Sequence, residues 1–335
     1  MQQGHEKIAD LKPGAWFSGI YALQNPQIGA TRAGKPYLKA ILRDATGEAS
    51  LRCWDVGEDP RKAEQALARI SETGFVQISG ATENFNDALQ IKCQIDQMEP
   101  VHVGPEELKN LLPSTTHSID GMFQDVVDLL GTIEHPGVKA LADAYLSDAA
   151  LMSNFRTAPA ATALHHAWIG GLLEHTSTLL KLADRMLPLY PQLSRDVVLF
   201  GLFIHDLDKT TELSWEKGFE YTAEGNLIGH LAAGATRLEL MAARVRLGQP
   251  ENAEFLPKHT VLALQHILLS HHNLPEHGAA KRPSTPEAIF VAMLDNLDAQ
   301  TTLSLTLADR DREGSTFTDR VWSLETRLWR VHPTS

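Results

Sequence analysis

Residues 196–209 read DVVLFGLFIHDLDK. An apolar run from Val197 to Ile204 ends on a His–Asp doublet, His205-Asp206. At helical spacing His205 shares a face with Val198 and Leu202, the side such a helix buries. One buried histidine is ordinarily a hydrogen-bonded core residue. An aspartate carried into the same apolar setting is costly and needs a partner. The meaning of this doublet therefore depends on what other stretches bring to it.

Four of them bring the same residue types. In HHAWIGGLLEHTSTLLKLA (165–183), His175 shares a helical face with Trp168, Leu172 and Leu179. His230 opens the helix HLAAGATRLELM (230–241) after the loop YTAEGNLIG (221–229). His271 and His272 end the apolar helix of VLALQHILLSHHNLP (261–275), with Leu264 and Leu268 behind them. In PEAIFVAMLDNLDAQ (286–300), Asp295 is in line with Ala288, Val291 and Ala292. A shared cation compensates all seven side chains together. Imidazole with carboxylate and no thiolate suits manganese, iron or zinc; magnesium and calcium prefer all-oxygen shells. Seven donors exceed what one ion needs. Two ions bridged by a carboxylate use them, and such pairs clamp both oxygens of a phosphoryl displacement.

The helical period holds from about residue 100 to the end, broken at Pro188, Pro191, Gly218, Gly225, Pro250, Pro257, Pro275 and Pro283. Before it the period is that of strands. Residues 16–23, 36–43 and 48–54 read as strands, with a polar loop over 25–35 and a Gly turn at 44–47 (DATG). Residues 60–70 form a short helix; 75–81 and 88–98 are two more strands about a turn at 84–87. Five strands with a helix between the third and fourth is the order of an OB-type barrel. The chain is thus read as a multidomain α and β protein: a small OB-type β-barrel over 1–99, a linker and helix start over 100–118 (Pro105, Glu106, Glu107), and an all-α bundle over 119–335.

Composition bounds the setting. Apolar residues make up 43% and charged residues 21%, an ordinary globular balance. No run is long and apolar enough for a membrane span, and no signal-peptide pattern opens the chain. Two cysteines, Cys53 and Cys93, form no CxxC pair, which fits a reducing, cytoplasmic setting. The formal charge is −12, yet residues 12–52 carry six basic side chains (Lys12, Arg32, Lys35, Lys39, Arg43, Arg52) against Asp44 and Glu48. A local patch of that sign is enough for a phosphate-bearing partner. With Tyr37 and Trp54, the residues Lys35, Lys39, Arg43 and Arg52 suit a groove that stacks bases and tracks phosphates. Taken singly, Trp16, Phe17 and Trp54 read as barrel core; taken as a set on the second and third strands, the basic and aromatic residues read as a binding face.

The order His175, His205-Asp206, His230, His271-His272, Asp295 resembles the binuclear branch of the HD phosphohydrolases. More closely, HHAWIGGLLEHT, YTAEGNLIGH, SHHNL, KRPSTPEA and LDNLDA are similar to segments of the YhaM-type 3′-to-5′ exoribonucleases, which also place an OB-fold ahead of an HD domain. The resemblance extends over about residues 12–300. It implies one ion held by His175, His205, Asp206 and Asp295 and a second by Asp206, His230, His271 and His272, with Asp206 bridging and activated water attacking a terminal phosphodiester. It also implies that Asp206 and Lys209 are catalytic and that Lys209, Lys281 and Arg282 meet substrate phosphates, although a lysine at a helix end or two basic residues in a loop are as often plain surface. His165 or His166 could line the pocket, though helix-start or core roles suit them better. The expected partner is single-stranded RNA or DNA, with no membrane and with room for a homo-oligomer. Two alternatives stand beside it: hydrolysis of small nucleotides or cyclic dinucleotides, and a non-catalytic strand binder with a structural metal site. One departure stands out. The family's HD-x-GK is here His205-Asp206-Leu207-Asp208-Lys209, so a carboxylate replaces a glycine, and the turn must accept both a side chain and a charge.

Overall fold

The computed structural model describes residues 5–31, 33–57, 59–85, 88–162, 166–215, 218–248, 254–309, 315–331 and 334. The chain divides into two units, residues 1–114 with 215–220, and residues 115–214 with 221–335.

Alternation of buried and outward residues builds the first unit. Its elements are β1 (Trp16–Ala30), β2 (Pro36–Asp44), β3 (Gly47–Cys53), α1 (Pro60–Ile70), β4 (Phe75–Phe85), β5 (Ala88–Cys93), β6 (Met98–Pro100) and α2 (Pro105–Leu111). The strands lie in the order β1-β2-β3-β5-β4-β6, and β1 also pairs with β4, which closes the barrel. Leu38, Ala40 and Leu42 of β2 face Ala49, Leu51 and Cys53 of β3, Phe17, Tyr21 and Leu23 of β1, and Ile70 of α1 in one core. Burying each leucine of this set contributes about 1.5–3 kcal/mol. The β2–β3 turn is pinned by Asp44, whose carboxylate accepts the backbone N–H of Thr46 (2.7 Å), Gly47 (3.0 Å) and Ile8 (2.8 Å). Asp59 caps α1 by accepting from the Arg61 N–H, and Pro60 supplies the first turn.

Three expectations are corrected in this unit. The segment 25–35 is not wholly loop: β1 runs on to Ala30, because a bulge between Gln24 and Gln27, with Asn25 at φ 48°, turns the strand from β4 onto β2. Residues 100–114 go with the barrel and are no free linker, since α2 packs on β1 and β2 and buries Leu111 and Leu112. Of the aromatics read singly as core, only Phe17 is; Trp16 is 61% and Trp54 50% exposed. Cys53 and Cys93 are free thiols, buried opposite one another on the parallel pair β3 and β5. Arg32, Asn86 and Asp87 lie outside the described residues.

The second unit is helical: α3 (Ile119–Gly131), α4 (Pro136–Leu146), α5 (Ala149–Thr157), α6 (Gly171–Met186), α7 (Arg195–Ile204), α8 (Lys209–Glu212), α9 (Ala223–Leu227), α10 (Gly229–Leu247), α11 (Lys258–Ser270) and α12 (Pro286–Asp309). Two short ladders accompany them, β7 (Leu213–Ser214) with β8 (Glu220–Tyr221), and β9 (Phe317–Val321) with β10 (Thr326–Trp329). The centre is α7, buried from Val197 to Ile204 and packed on α3, α4, α6, α11 and α12. Tyr145, Phe155, Phe200 and Phe203 meet edge-on or tilted beside it. Gly201 sets how near α11 comes: a Cβ there would stand 2.8 Å from Ile267 Cδ1. That close approach brings the ends of α7 and α11 together. Trp168 is not on the α6 face, as its spacing suggested, because Gly170 at φ 79° starts the helix only at Gly171. Among the described residues no helix is long and apolar enough to cross a membrane.

Candidate metal centre

Two histidines end apolar helices. His205 follows α7 and donates from Nδ1 to the Leu202 carbonyl (2.7 Å); His271 follows α11 and donates from Nδ1 to the Leu268 carbonyl (3.0 Å). A carbonyl can only accept, so the proton of each neutral ring sits on Nδ1 and a lone pair remains at Nε2. Two further rings are held from outside by carboxylates. His230 Nδ1 donates to Glu212 Oε2 at 2.7 Å, and His175 Nδ1 to Asp298 Oδ2 at 2.7 Å. Four rings are thus anchored at one nitrogen and present the other inward, the arrangement that orients imidazole ligands.

What they face is Asp206. Its Oδ1 stands 3.3 Å from His230 Nε2 and 3.4 Å from His271 Nε2, and its Oδ2 stands 3.4 Å from His205 Nε2. His175 Nε2 lies 3.2 Å from Asp295 Oδ1 and 3.9 Å from Asp206 Oδ2. Asp206 Oδ1, the Nε2 atoms of His205, His230 and His271, and Nδ1 of His272 are buried without a hydrogen-bond partner. Lone pairs facing each other at such distances repel unless something positive lies between them, and leaving so many buried acceptors unmet is costly. A proton serves one pair at a time; a divalent cation serves several donors at once. The donor atoms fall into overlapping groups, each within 4.8 Å: Asp206, His230, His271 and His272; His175, His205 and Asp206; and His205, His271 and Asp295. Asp206 belongs to the first two. The residues fit a pair of divalent metals, and the nitrogen-rich donor set is that of a transition metal.

Electrostatics agree. Burial alone would raise the Asp206 carboxyl, but the charge of Lys209 and the surrounding histidines hold it well below the usual carboxylate range. Asp295 and Asp298 are likewise held low against burial, chiefly by hydrogen bonds from His175 and, for Asp298, first from His166. Burial would lower His175, yet Asp295 and Asp298 push it up to about 10. Those carboxylates favour a proton on the ring, with which a bound cation would compete. His272, desolvated and beside His271, is pushed down to about 3, which leaves it a neutral donor at any ordinary pH.

The substituted turn holds its extra carboxylate without difficulty. Asp208 has φ −76°, so no left-handed residue is needed there. Its Oδ1 accepts from Arg237 Nε at 2.8 Å, which pairs the added charge. Lys209 lies against Asp206 Oδ2 at 2.7 Å and lines a cleft of about 700 Å³ with Asp206, His230, His271, His272 and Asp295. Lys281 and Arg282 are exposed and are not part of that lining. His165 lies outside the described residues, and His166 is buried, bonded through Nε2 to Asp298 Oδ2 at 2.9 Å.

Asp298 and Glu212 were not foreseen. Asp298 stands one helical turn beyond Asp295 in LDNLDA, and Glu212 one turn beyond Lys209, but that spacing alone does not mark an acid as buried. Asp298 receives both His166 and His175, so Asp298→Asn should weaken divalent-metal affinity about 10–100-fold. Titration of the full chain against a competing chelator checks this, and an unchanged affinity would show that the Asp298 contacts are packing only.

No solved structure matches the chain. Residues 172–300, which contain all seven donors, match the HD domain family model, a family of metal-dependent phosphohydrolases that bind divalent metals; the chain therefore carries an HD domain behind its five-stranded barrel.

Proposed function

We propose that this chain is a metal-dependent phosphodiesterase that removes nucleotides from the 3′ end of single-stranded RNA, and of single-stranded DNA. The observation that carries the reading is Asp206, shared between two donor groups at the floor of an open cleft. His175, His205, Asp206 and Asp295 would hold one cation and Asp206, His230, His271 and His272 the other, manganese foremost and iron, cobalt or zinc as alternatives. Bound there, divalent metals act as Lewis acids and lower the pKa of water. The chain's own residues do the rest. Lys209 keeps Asp206 ionised and places a positive charge in the cleft, where a phosphate would be neutralised. Arg237 keeps the Asp208 charge from opposing that phosphate.

The barrel supports a strand as the substrate. Tyr37 and Trp54 stack at 4.7 Å and 27°. In the ladder Lys39 is opposite Arg52, and Arg52 is opposite Lys92. An aromatic step beside a row of cations is how single strands are held without sequence preference. Trp54→Ala should weaken oligoribonucleotide binding by about 1–3 kcal/mol, roughly 5- to 150-fold.

A cleft of about 700 Å³ also has the size of a small-ligand pocket, which favours free nucleotides or cyclic dinucleotides as a second reading. One experiment separates them. With manganese, a 3′-hydroxyl oligoribonucleotide should yield mononucleotides, and Trp54→Ala should slow that reaction while sparing any turnover of small nucleotides. No mononucleotide release by the wild-type chain would sink the exonuclease reading.

A further inference from the structure

The ladder of β9 and β10 has no part in the metal centre, yet its surface is unusual. Phe317 is 43%, Trp329 51% and Trp322 80% exposed. The Arg320 guanidinium lies 5.3 Å from the centroid of the Trp322 ring, and that of Arg327 lies 5.7 Å from the centroid of Phe317. In the register Arg327 is directly opposite Arg320, and Trp329 opposite Phe317. Like charges facing across a ladder disfavour it. Arg327 is nonetheless fixed in place, donating from Nε to the Thr318 carbonyl at 2.9 Å. Arg330 follows with a buried Nε that lacks a partner. Among the described residues none of these three arginines forms an ion pair with a carboxylate, in a chain whose net charge is −12.

The facing cations and the open aromatic rings require two different things of a ligand. An apolar protein surface would cover the rings but strand the guanidinium charges away from water. A single-stranded nucleic acid satisfies both, since its phosphates neutralise arginines and its bases stack on aromatic faces. An arginine already lying on a ring widens the platform on which a base can stack.

We propose that the β9–β10 hairpin is a second contact site for single-stranded nucleic acid, with phosphates on Arg320 and Arg327 and bases on Trp322 and Trp329. Both strands pack against α12, the helix that bears Asp295, so the hairpin is fixed to an element of the cleft. The choice of nucleic acid as ligand rests on the function proposed above.

The test uses the full chain and a labelled single-stranded oligoribonucleotide, with chelator present so that nothing is cleaved. R320A/R327A should lower affinity about 10-fold or more and flatten the dependence of log affinity on log salt by about 1.4, two phosphates at roughly 0.7 each. W322A should lower affinity about 5- to 150-fold and leave the salt slope unchanged. Trp322 is so exposed that W322A carries the test even if the double variant melts early. With manganese restored, hydrolysis of a dinucleotide should be unaffected in either variant. Unchanged affinity and slope in both would overturn the inference, as would variants whose only change is conversion of an assembled chain to monomers, which would make the hairpin an interface between copies. If the wild-type chain binds strands and releases mononucleotides while the hairpin variants match it, the inference alone falls. If the wild type neither binds nor cleaves strands, the proposed function falls with it.

Discussion

Asp206→Ala should lower phosphodiester turnover by roughly 10³-fold or more, equivalent to about 4 kcal/mol of lost transition-state stabilisation. It should also deplete the purified protein of tightly bound metal. Both effects have one cause. One carboxylate oxygen faces His230 and His271 and the other faces His205 and Lys209, so its loss opens both donor groups at once. Among the described residues Asp295 lies by His175 and groups with His205 and His271 but shares no group with His230 or His272, so it does not replace Asp206. Lys209 would be left as a buried cation without its carboxylate, which adds a stability cost of the kind that follows from breaking a buried pair. Asp206→Asn keeps the shape and should still fail to hold metal, since an amide cannot offer an anionic oxygen to both groups. Elemental analysis with a turnover assay checks the prediction; a variant that keeps both its metal and its rate would show that Asp206 bridges nothing. On the proposed function, oligonucleotide binding at the barrel face should survive the change.

Arg237→Ala should destabilise the fold by about 3 kcal/mol at neutral pH, the low end for breaking a buried pair, because the arginine side chain is itself 26% exposed. Asp208 is buried and ion-paired with Arg237, and burial already raises its carboxyl above the usual range against the pull of that charge. An acid whose native pKa is raised contributes stability that is complete below its unfolded pKa and is lost as pH rises through the native one. Removing Arg237 raises the native value further. The gap between variant and wild type should therefore be small in acid and open as pH climbs through and beyond the carboxylate range. Denaturant melts at several pH values test this, and Arg237→Lys should recover part of the loss. A gap that does not depend on pH would mean that Arg237 acts through packing and not through Asp208.

The convergence of the candidate donors was legible in the sequence because most are outliers in their own stretch, a histidine or aspartate where helical spacing calls for an apolar residue. The barrel was legible for a similar reason, since Leu38, Ala40 and Leu42 alternate with Tyr37, Lys39 and Ile41 at the period of a strand. Asp298, Glu212 and Arg237 were not, because their partners are 123, 18 and 29 residues away and nothing local marks a surface-type residue as buried. The run β1 makes beyond Leu23 was hidden by Asn25, Pro26 and Gly29, turn formers that here shape a bulge. The hairpin at residues 317–329 is not legible, because two such short strands carry too little alternation to stand out from helical surroundings.

By pairing with β2 along one half and β4 along the other, β1 closes the sheet on itself to make the barrel. The last strand in the order, β6, is only three residues long and ends at Pro100, a residue with no amide hydrogen to offer. Concentrated solutions of this protein should accordingly resist intermolecular sheet growth and strand exchange through the barrel's closing strand and its short last strand.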